Sequence, residues 1–316
     1  MSTVIIVDSA CDVPERFSQS KSIAVLPINI LLGDEKYVDN FDSQQVLAMM
    51  EDGTLNPKIY ANSDAASKDQ IIEFLKTKII PNFDWAIVET VSSKQSDQNA
   101  IWREVNQGLS SRFKEFRSAD AKPFQLSIID SKTAYAGQGL LALETIRLAK
   151  KGIKSRRELL DKIKQFPSKI QAYSAAPDVS YLRHRALQRG DNTINFINSI
   201  IGKVLKITPI IYGINGEIGL AYREKGLDKA IARMMQHAID AIQDNALSSP
   251  IVNLSYSGPL DELHQHEKYQ ELVRVAKQHS VNVFSSTSCI STAINLGPKS
   301  LGMALAIEDE NRRIKE

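Results

Sequence analysis

The sequence predicts an α/β protein of two lobes: an N-terminal domain built on a mainly parallel sheet and a C-terminal α+β domain that contains a hairpin. Strand-like and helical runs alternate through the first half of the chain, which is typical of parallel sheets. An Asn-Gly turn separates two strand-like runs in the second half. The 316 residues also exceed what one hydrophobic core normally encloses. We place the domain boundary after residue 166, which gives segments 1–166 and 167–316.

The N-terminal half alternates between apolar strands and helices. Thr3–Val7 is a run of mostly β-branched residues that ends at Asp8-Ser9, and Ile23–Ile30 is a second apolar run. Runs of this kind are typical of strands buried on both faces. Further helices are predicted over Ser43–Glu51, Asp69–Ile79, Ser96–Phe113 and Ala134–Lys150, and further strands over Trp85–Val88 and Gln125–Ile129.

The C-terminal half has a different pattern. Asn215-Gly216 lies between two strand-like runs, and this dipeptide is the strongest short-range signal for a hairpin because both residues tolerate positive φ angles. We therefore predict an antiparallel pair there. The remaining strands are predicted over Ile170–Ala175, Ile251–Ser255, Val281–Ser285 and Gly302–Ile307, and the helices over Val179–Ala186, Ile194–Val204, Leu227–Asn245 and Glu262–His279.

Charge and composition exclude several classes of protein. The chain has 39 basic and 37 acidic residues, a formal net charge of +2, and 43% hydrophobic residues. It therefore lacks the composition of a disordered chain and the basic excess of a protein that binds nucleic acid without regard to sequence.

The cysteines and the first residues bear on the cellular compartment. The two cysteines, Cys11 and Cys289, are too few for a disulfide framework or a metal cage, and Cys11 is expected to be an ordinary buried thiol. The first residues carry no basic segment and no long apolar run. We therefore expect no signal peptide, no membrane span and a cytoplasmic location.

Two motifs invite a functional interpretation that their context does not support. Gly137-Gln-Gly139 opens a run that matches the dinucleotide-binding fingerprint in letters, but it lies inside a predicted helix and not directly after a strand. We interpret these glycines as sites of close helix packing. A basic cluster, Arg183, His184, Arg185 and Arg189, is typical of a solvated helix face.

Polar segments cluster where the strands of the predicted parallel sheet end. Asp8–Asp12 follows the first strand, Ser92–Ser96 and Asp130–Lys132 follow later strands, and Asn62–Asp64 precedes a helix. Ligands of open α/β sheets bind beyond the carboxyl ends of the strands, where helix N-termini offer free N–H groups to an anion. The pattern indicates a site for a small anionic group. The alternative is that each segment only caps a helix.

Several segments in order along the chain resemble the DegV family. The sequence VDSACDVP at Val7–Pro14 resembles the family's opening motif, and LPINI at Leu26–Ile30 and GDEKYVD at Gly33–Asp39 follow at the expected spacing. The resemblance continues through Ile128–Glu144, Ile194–Ile218, Arg223 and Gly297–Ile307. It spans almost the whole chain.

The resemblance implies that a long-chain fatty acid lies in the cleft between the two lobes, with its acyl chain in an apolar tunnel and its carboxylate near the surface. The family includes acyl-binding subunits of bacterial fatty-acid kinases, which present the carboxylate to a separate ATP-binding kinase subunit. The protein would then be a carrier and not an enzyme, with no cofactor or metal besides the fatty acid. Transient contact with a membrane surface would fit such a carrier. Helices over Ala134–Leu148 and Ile194–Val204 would wall the tunnel.

Comparison of individual positions with the family's motifs assigns the headgroup site. The candidate residues are Asn62, Ser63, Ser96, Gln98, Arg223 and Asn295. Arg223 matches the family's basic position after the hairpin and could pair bidentately with a carboxylate. Asn295 stands where the family has a histidine, and an amide donates a hydrogen bond but never becomes cationic. Asp97 adds a carboxylate where the family has a glycine.

Two other functions stay open at this point. A DegV-like chain with these altered headgroup residues could bind a different small amphipathic or anionic ligand in the same cleft. A phosphotransfer enzyme, suggested by the likeness of the family's lobe to dihydroxyacetone kinases, would need a histidine that holds substrate covalently or a metal–nucleotide site. The five histidines, His184, His237, His264, His266 and His279, lie in no recognisable motif.

Overall fold

The computed structural model describes residues 2–153, 155–189 and 207–315. One sheet of four strands has the order β2-β1-β6-β7, and all its strands are parallel. Its strands are β1 (Thr3–Asp8), β2 (Ile23–Leu26), β6 (Trp85–Thr90) and β7 (Gln125–Asp130). The predicted parallel sheet is therefore confirmed.

A second sheet of six strands is formed by the C-terminal half, in the order β10-β9-β8-β13-β11-β12. Its strands are β8 (Ile170–Ala175), β9 (Thr208–Ile214), β10 (Glu217–Glu224), β11 (Ile251–Tyr256), β12 (Asn282–Thr287) and β13 (Leu301–Ala306). Neighbouring strands are antiparallel except for β11 and β12, which are parallel. We call this the mixed sheet.

A third, smaller sheet is antiparallel and has the order β4-β3-β5. Its strands are β3 (Ile28–Leu32), β4 (Glu35–Asp39) and β5 (Ala61–Asp64). The sequence pattern does not predict this sheet. The predicted strand over Ile23–Ile30 is divided at Pro27, which has no N–H to continue a ladder, so its first half joins the parallel sheet and its second half the small one.

The α-helices are α1 (Glu15–Ser18), α2 (Ser43–Glu51), α3 (Lys68–Phe74), α4 (Gln98–Leu109), α5 (Ala136–Lys150), α6 (Arg156–Gln165), α7 (Val179–Arg189), α8 (Leu227–Gln243), α9 (Leu260–Gln265), α10 (Glu267–Gln278) and α11 (Ile290–Leu296). A single helix predicted over Glu262–His279 is two helices, because His266 is extended and its Nδ1 accepts the Lys268 N–H as the cap of α10. The predicted helix over Ile194–Val204 lies outside the described residues.

The two large sheets and the helices stack as five alternating layers. Helices α3 and α4 cover one face of the parallel sheet, where Phe74 and Trp102 belong to one cluster with Ile6 and Val88. Helix α5 fills the space between the other face of this sheet and the mixed sheet. Helices α8 and α10 cover the far face of the mixed sheet. The layers therefore run α/β/α/β/α.

Helix α5 is buried on nearly every side because it lies between two sheets. Residues 136–146 are all buried and are mostly apolar or glycine, as expected for a helix enclosed on several sides. Its glycines permit the close approach: a Cβ on Gly137 would lie 2.2 Å from Thr133 Oγ1, and one on Gly139 would lie 1.9 Å from the Asp12 carbonyl oxygen. The interpretation of these glycines as packing positions is confirmed.

The predicted hairpin is also confirmed. Strands β9 and β10 pair in the antiparallel sense, with Ile214 opposite Glu217. Asn215 and Gly216 have φ angles of 55° and 77°, the left-handed values that a two-residue type I′ turn requires at both central positions.

The two halves of the chain share a core. All strands of the parallel sheet precede residue 166, and all strands of the mixed sheet follow it. Around α5, however, one cluster contains Ile87 of the parallel sheet together with Ala304 of the mixed sheet. The division into two domains at residue 166 stays a prediction.

Replacing Gly139 with Ala tests the close packing of α5. The added methyl group would collide with the Asp12 carbonyl oxygen and with the Asn253 side chain. We expect the free energy of unfolding to fall by about 3 kcal/mol, the upper end of typical costs for overpacking. Urea denaturation followed by circular dichroism measures this change.

The matched control is Gly108→Ala. Gly108 is exposed on α4 and has no atom within 4 Å of an added Cβ, so the substitution should raise the free energy of unfolding by about 1 kcal/mol. Similar effects at both glycines would contradict the packing role of Gly139.

Candidate functional site

A cavity of about 570 Å³ opens where the three sheets meet. Its wall includes the end of β1, the loops that follow β6 and β7, and strand β5. Parts of β8, β9, α7 and α11 complete it. The carboxyl ends of parallel strands are the usual ligand site in open α/β sheets, and the volume lies in the range of small-molecule sites. Apolar side chains on the wall are Ile28, Leu182, Ile211, Ile218, Ile294 and Leu296.

Five of the six sequence-predicted headgroup residues line this cavity. They are Asn62, Ser63, Ser96, Gln98 and Asn295. Asn62 and Ser63 lie on β5, Ser96 lies in the loop before α4, Gln98 is the first residue of α4, and Asn295 lies on α11. Residues that are far apart in the sequence therefore form one polar part of the wall.

Arg223 is placed elsewhere. It lies on β10 opposite Pro209 of β9, toward the end of the hairpin that is remote from the turn. It lies five positions after Ile218, which does line the cavity, and five steps along a strand span about 17 Å. Arg223 is not among the described residues of the cavity wall, so its role at the headgroup stays a prediction.

The Gln98 side chain is held in place by its oxygen and leaves its nitrogen without a partner. Gln98 is 2% exposed, and its Oε1 accepts the Ala66 N–H at 2.7 Å. The backbone N–H of Gln98 donates to Ser96 Oγ at 3.2 Å. Its Nε2 has no hydrogen-bond partner among the described residues. A buried donor without an acceptor is costly, so this atom is suited to a ligand oxygen.

The interpretation of Arg185 as part of a solvated cluster is wrong. Arg183 and His184 are exposed, but Arg185 is 2% exposed and lines the cavity. Helical spacing could have indicated this placement, because Arg185 follows the apolar Leu182 by three residues and so shares its face of α7.

Two more wall residues were not singled out from the sequence. The buried Thr133 hydroxyl has no partner among the described residues. Tyr135, directly before α5, has φ 53° and ψ −120°, a conformation that costs a non-glycine residue on the order of 1–3 kcal/mol. Backbone strain of this kind is concentrated at ligand sites.

Gln138 joins the buried carboxyl group of Asp8, at the wall, to the main chain of Glu89, whose own carboxyl group is also buried. Asp8 lines the cavity, and its Oδ1 accepts the Ala10 N–H at 3.1 Å. Gln138 Nε2 donates to Asp8 Oδ2 at 3.3 Å and to the Glu89 carbonyl oxygen at 2.8 Å. Burial raises the pKa of Asp8 and raises the pKa of Glu89 to about 8, although the Thr145 hydroxyl donates to Glu89. Raised pKa values favour the protonated forms, which repel an anionic ligand less.

Helix α11, which carries Asn295, is positioned by two carboxyl groups from the N-terminal half. Asp12 Oδ1 accepts the Cys289 N–H at 2.9 Å, and Asp39 Oδ2 accepts the Ser291 N–H at 3.1 Å. Negative charge at a helix N-terminus is stabilising. Burial nevertheless raises the pKa of Asp39 to about 7. Asn295 Nδ2 in turn donates to the Ser291 carbonyl oxygen at 2.8 Å.

Both cysteines are free and buried. Burial raises the pKa of the Cys11 thiol well above its usual range, and the nearby carboxylates of Asp8, Glu89 and Asp12 raise it further. Since the thiolate is the reactive form, Cys11 has the character of an inert buried thiol, as expected from the sequence.

Helix α5 does not wall the cavity as predicted. The residues next to it, Thr133–Tyr135, line the cavity, whereas the helix itself is enclosed between the two sheets. The prediction for Ala134–Leu148 is therefore wrong for all but its first two residues. The second predicted wall, Ile194–Val204, lies outside the described residues.

Within residues 2–153, 155–189 and 207–315, no group of three or more His, Cys, Asp or Glu side chains could hold a metal ion. No helix in the described parts of the chain has both the length and the apolar character needed to cross a bilayer.

Comparison with known proteins assigns the family. The family model described as "Uncharacterised protein, DegV family" matches residues 2–308. This chain belongs to the DegV family. A DegV domain-containing protein of Xanthomonas axonopodis pv. citri is 28% identical over 308 residues, which cover 96% of this chain and 97% of that protein. A second, from Xanthomonas campestris pv. campestris, is 26% identical over 306 residues, which cover 96% of this chain and 97% of that protein.

Solved structures of DegV proteins share the fold. The crystal structure of DegV, a fatty acid binding protein from Bacillus subtilis, matches with a TM-score of 0.74 at 17% identity, over 98% of this chain and all of that one. A DegV family protein from Eubacterium eligens, loaded with heptadecanoic acid, matches with a TM-score of 0.71 at 15% identity, over 97% of this chain and all of that one. The sequence-based resemblance and the predicted fold class are both confirmed.

The raised pKa of Glu89 should make the stability of this DegV protein depend on pH. Because the folded-state pKa of about 8 exceeds the ordinary value of 4.5, folding takes up a proton between these values. The free energy of unfolding should therefore fall as the pH rises from about 4.5 to 8, by up to about 1.4 kcal/mol per pH unit. Differential scanning calorimetry should give a lower melting temperature at pH 8.5 than at pH 5.5.

Glu89→Gln is the variant that isolates this group. The amide keeps an oxygen to accept the Thr145 hydroxyl but cannot ionise, so the difference in melting temperature between the two pH values should shrink. An undiminished difference would show that Glu89 is not its source.

Proposed function

We propose that this chain binds a long-chain fatty acid in the cavity, with the carboxylate at the polar wall formed by Asn62, Ser63, Ser96, Gln98 and Asn295. The observation that carries the proposal is a cavity of about 570 Å³ that combines apolar side chains with a buried donor, Gln98 Nε2, for which the described part of the chain offers no acceptor. Two relatives of the same fold support it: one is a fatty acid binding protein and the other was loaded with heptadecanoic acid.

The energetics of the proposal divide between chain and headgroup. Each buried methylene contributes about 0.8 kcal/mol, so about a dozen methylenes give a gross gain of roughly 10 kcal/mol. Hydrogen bonds at the headgroup add less, but a carboxylate accepts the donors that are otherwise left unpaired, and each charge-assisted bond contributes about 1.5–3 kcal/mol. Burial of the acyl chain would supply most of the affinity, and the hydrogen bonds of the carboxylate would fix the orientation of the ligand.

We further propose that the protein is a cytoplasmic carrier that presents the carboxylate to a separate ATP-binding kinase subunit for acyl phosphate formation. The polar wall borders solvent: Lys94 lines the cavity, yet its side chain is 59% exposed and lies 3.9 Å from that of Glu217. A carboxylate on this side would be accessible to a partner protein and, during loading, to a membrane surface.

A different amphipathic ligand is the second candidate, and one contact favours it. Asn62 Nδ2 donates to Asp64 Oδ1 at 2.6 Å, so a carboxylate already occupies one donor of the predicted headgroup site. A neutral polar headgroup would avoid repulsion by Asp64.

Extraction of the purified protein distinguishes these candidates. Protein denatured in organic solvent should release a long-chain fatty acid in about equimolar amount, identified by mass spectrometry. Release of another amphiphile would favour the second candidate. ATP consumption by the chain alone would support a phosphotransfer enzyme instead, whereas acyl phosphate formed only with an added kinase subunit would support the carrier.

Gln98→Glu tests the headgroup assignment. The glutamate keeps an oxygen for the Ala66 N–H but replaces the Nε2 donor by a second oxygen, which repels a carboxylate. We expect the affinity for hexadecanoic acid to fall by about ten- to a hundredfold, the equivalent of one charge-assisted hydrogen bond, as measured by equilibrium dialysis of delipidated protein.

Gln107→Glu is the matched control, because Gln107 is exposed on the same helix. It should leave the affinity unchanged. Equal affinities for the Gln98 variant and the control would remove Gln98 from the headgroup site.

A further inference from the structure

Arg185 is a buried cation whose described partners are all neutral. Its Nη1 donates to the Ile59 carbonyl oxygen at 2.6 Å and to Gln188 Oε1 at 2.8 Å. Its Nη2 donates to the Asn56 carbonyl oxygen at 3.2 Å and to the Tyr181 hydroxyl at 3.1 Å. These four bonds fix the guanidinium in place, but they bring no negative charge to it.

One N–H of this guanidinium has no hydrogen-bond partner among the described residues. Arg185 is 2% exposed and lines the cavity, and its buried Nε has no hydrogen-bond partner among the described residues. A buried charge without an opposite charge is strongly unfavourable. The side chain is thus held in a position where an anion would satisfy both the free N–H and the positive charge.

The other charged groups of the described wall do not neutralise Arg185. Lys94 is the second cation there, and it is exposed and near Glu217. Asp64 is exposed and accepts from Asn62. Asp8 accepts hydrogen bonds from the Ala10 N–H and from Gln138 Nε2. Burial raises the pKa of Asp8, which favours its neutral, protonated form.

Helix α7 places Arg185 beside two parts of the sequence-predicted headgroup site. Gln188, which accepts from Arg185, also accepts the Ala61 N–H at 3.3 Å, next to Asn62 on β5. Tyr181, on the other side of the guanidinium, donates to the Ile294 carbonyl oxygen at 3.1 Å, next to Asn295 on α11.

We propose that Arg185 is the cation that recognises the carboxylate of the bound acid, and that its Nε–H donates to a carboxylate oxygen. This rests on the proposed function and deepens it, because it makes Arg185 the source of selectivity for an acid over a neutral amphiphile. It supplies at the headgroup the positive charge that the amide of Asn295 cannot carry. It also removes the need for Arg223 at that position.

The test compares an acid with a neutral ligand of the same chain length. Delipidated wild-type protein and the Arg185→Met variant are titrated with hexadecanoic acid and with hexadecan-1-ol by equilibrium dialysis. We expect the variant to bind the acid at least tenfold more weakly and the alcohol within about twofold of wild type. Arg183→Met, an exposed change on the same helix, should alter neither affinity.

If Arg185 had a purely structural role, Arg185→Met would weaken the binding of the acid and of the alcohol equally. That result would overturn the proposal. Loss of the acid preference in Arg223→Ala, with the preference retained in Arg185→Met, would overturn it in favour of Arg223. Wild-type protein that binds acid and alcohol equally would also overturn it while leaving lipid binding intact. Wild-type protein that binds neither would instead refute the proposed function itself, and the proposal with it.

A second measurement covers the case in which Arg185→Met does not fold. Arg185→Lys keeps the charge but loses the planar fork and the Nε–H, so it should bind the acid less tightly than wild type and still prefer it to the alcohol. With acid labelled with ¹³C at the carboxyl carbon, NMR titration should show a higher pKa of the bound carboxyl group in the lysine variant than in wild type. An unchanged pKa and an unchanged acid affinity would overturn the proposal.

Discussion

Helix α5 is enclosed between two sheets, and this packing positions the elements on both sides of it. A helix can approach a sheet on each side only if its buried surface is mostly apolar and is small where backbones meet. Gly139 satisfies the second condition against the Asp12 carbonyl oxygen. Asn253 Nδ2 of the mixed sheet then donates to that same oxygen and to the Ala136 carbonyl oxygen, both at 2.9 Å. One side chain thereby joins the first strand's loop, the start of α5 and the mixed sheet.

This junction also determines where the cavity lies. Asn253 holds the start of α5 against the mixed sheet. The residues just before α5, which include the strained Tyr135, therefore lie at the cavity, where the three sheets meet. The wall of the cavity combines residues from all three sheets with residues of α7 and α11. The position of the cavity therefore follows from how the sheets and helices are layered.

The polar wall of the cavity differs from the core in the hydrogen bonding of its buried polar groups. Most buried polar groups in proteins are hydrogen-bonded, yet Gln98 Nε2, Arg185 Nε and Thr133 Oγ1 have no partner among the described residues, and all three residues line one cavity. Buried groups of this kind are costly, and a ligand that pairs with them would remove that cost. The fold that forms this cavity is shared with solved DegV structures at 15–17% identity.

The sequence by itself determined the elements whose cause is local. The parallel strands, the Asn215-Gly216 hairpin and the packing role of Gly139 follow from periodicity, from turn geometry and from the lack of a side chain, and the order of the family motifs assigned the fold. Only the tertiary structure decided that Pro27 divides one apolar run between two sheets, that Arg185 is buried at the cavity, and that Arg223 is not on its described wall. These outcomes depend on which face of a helix and which end of a hairpin meets segments that are distant in the chain. Helical spacing places Arg185 on the same face as Leu182, but it does not say which distant segments that face meets.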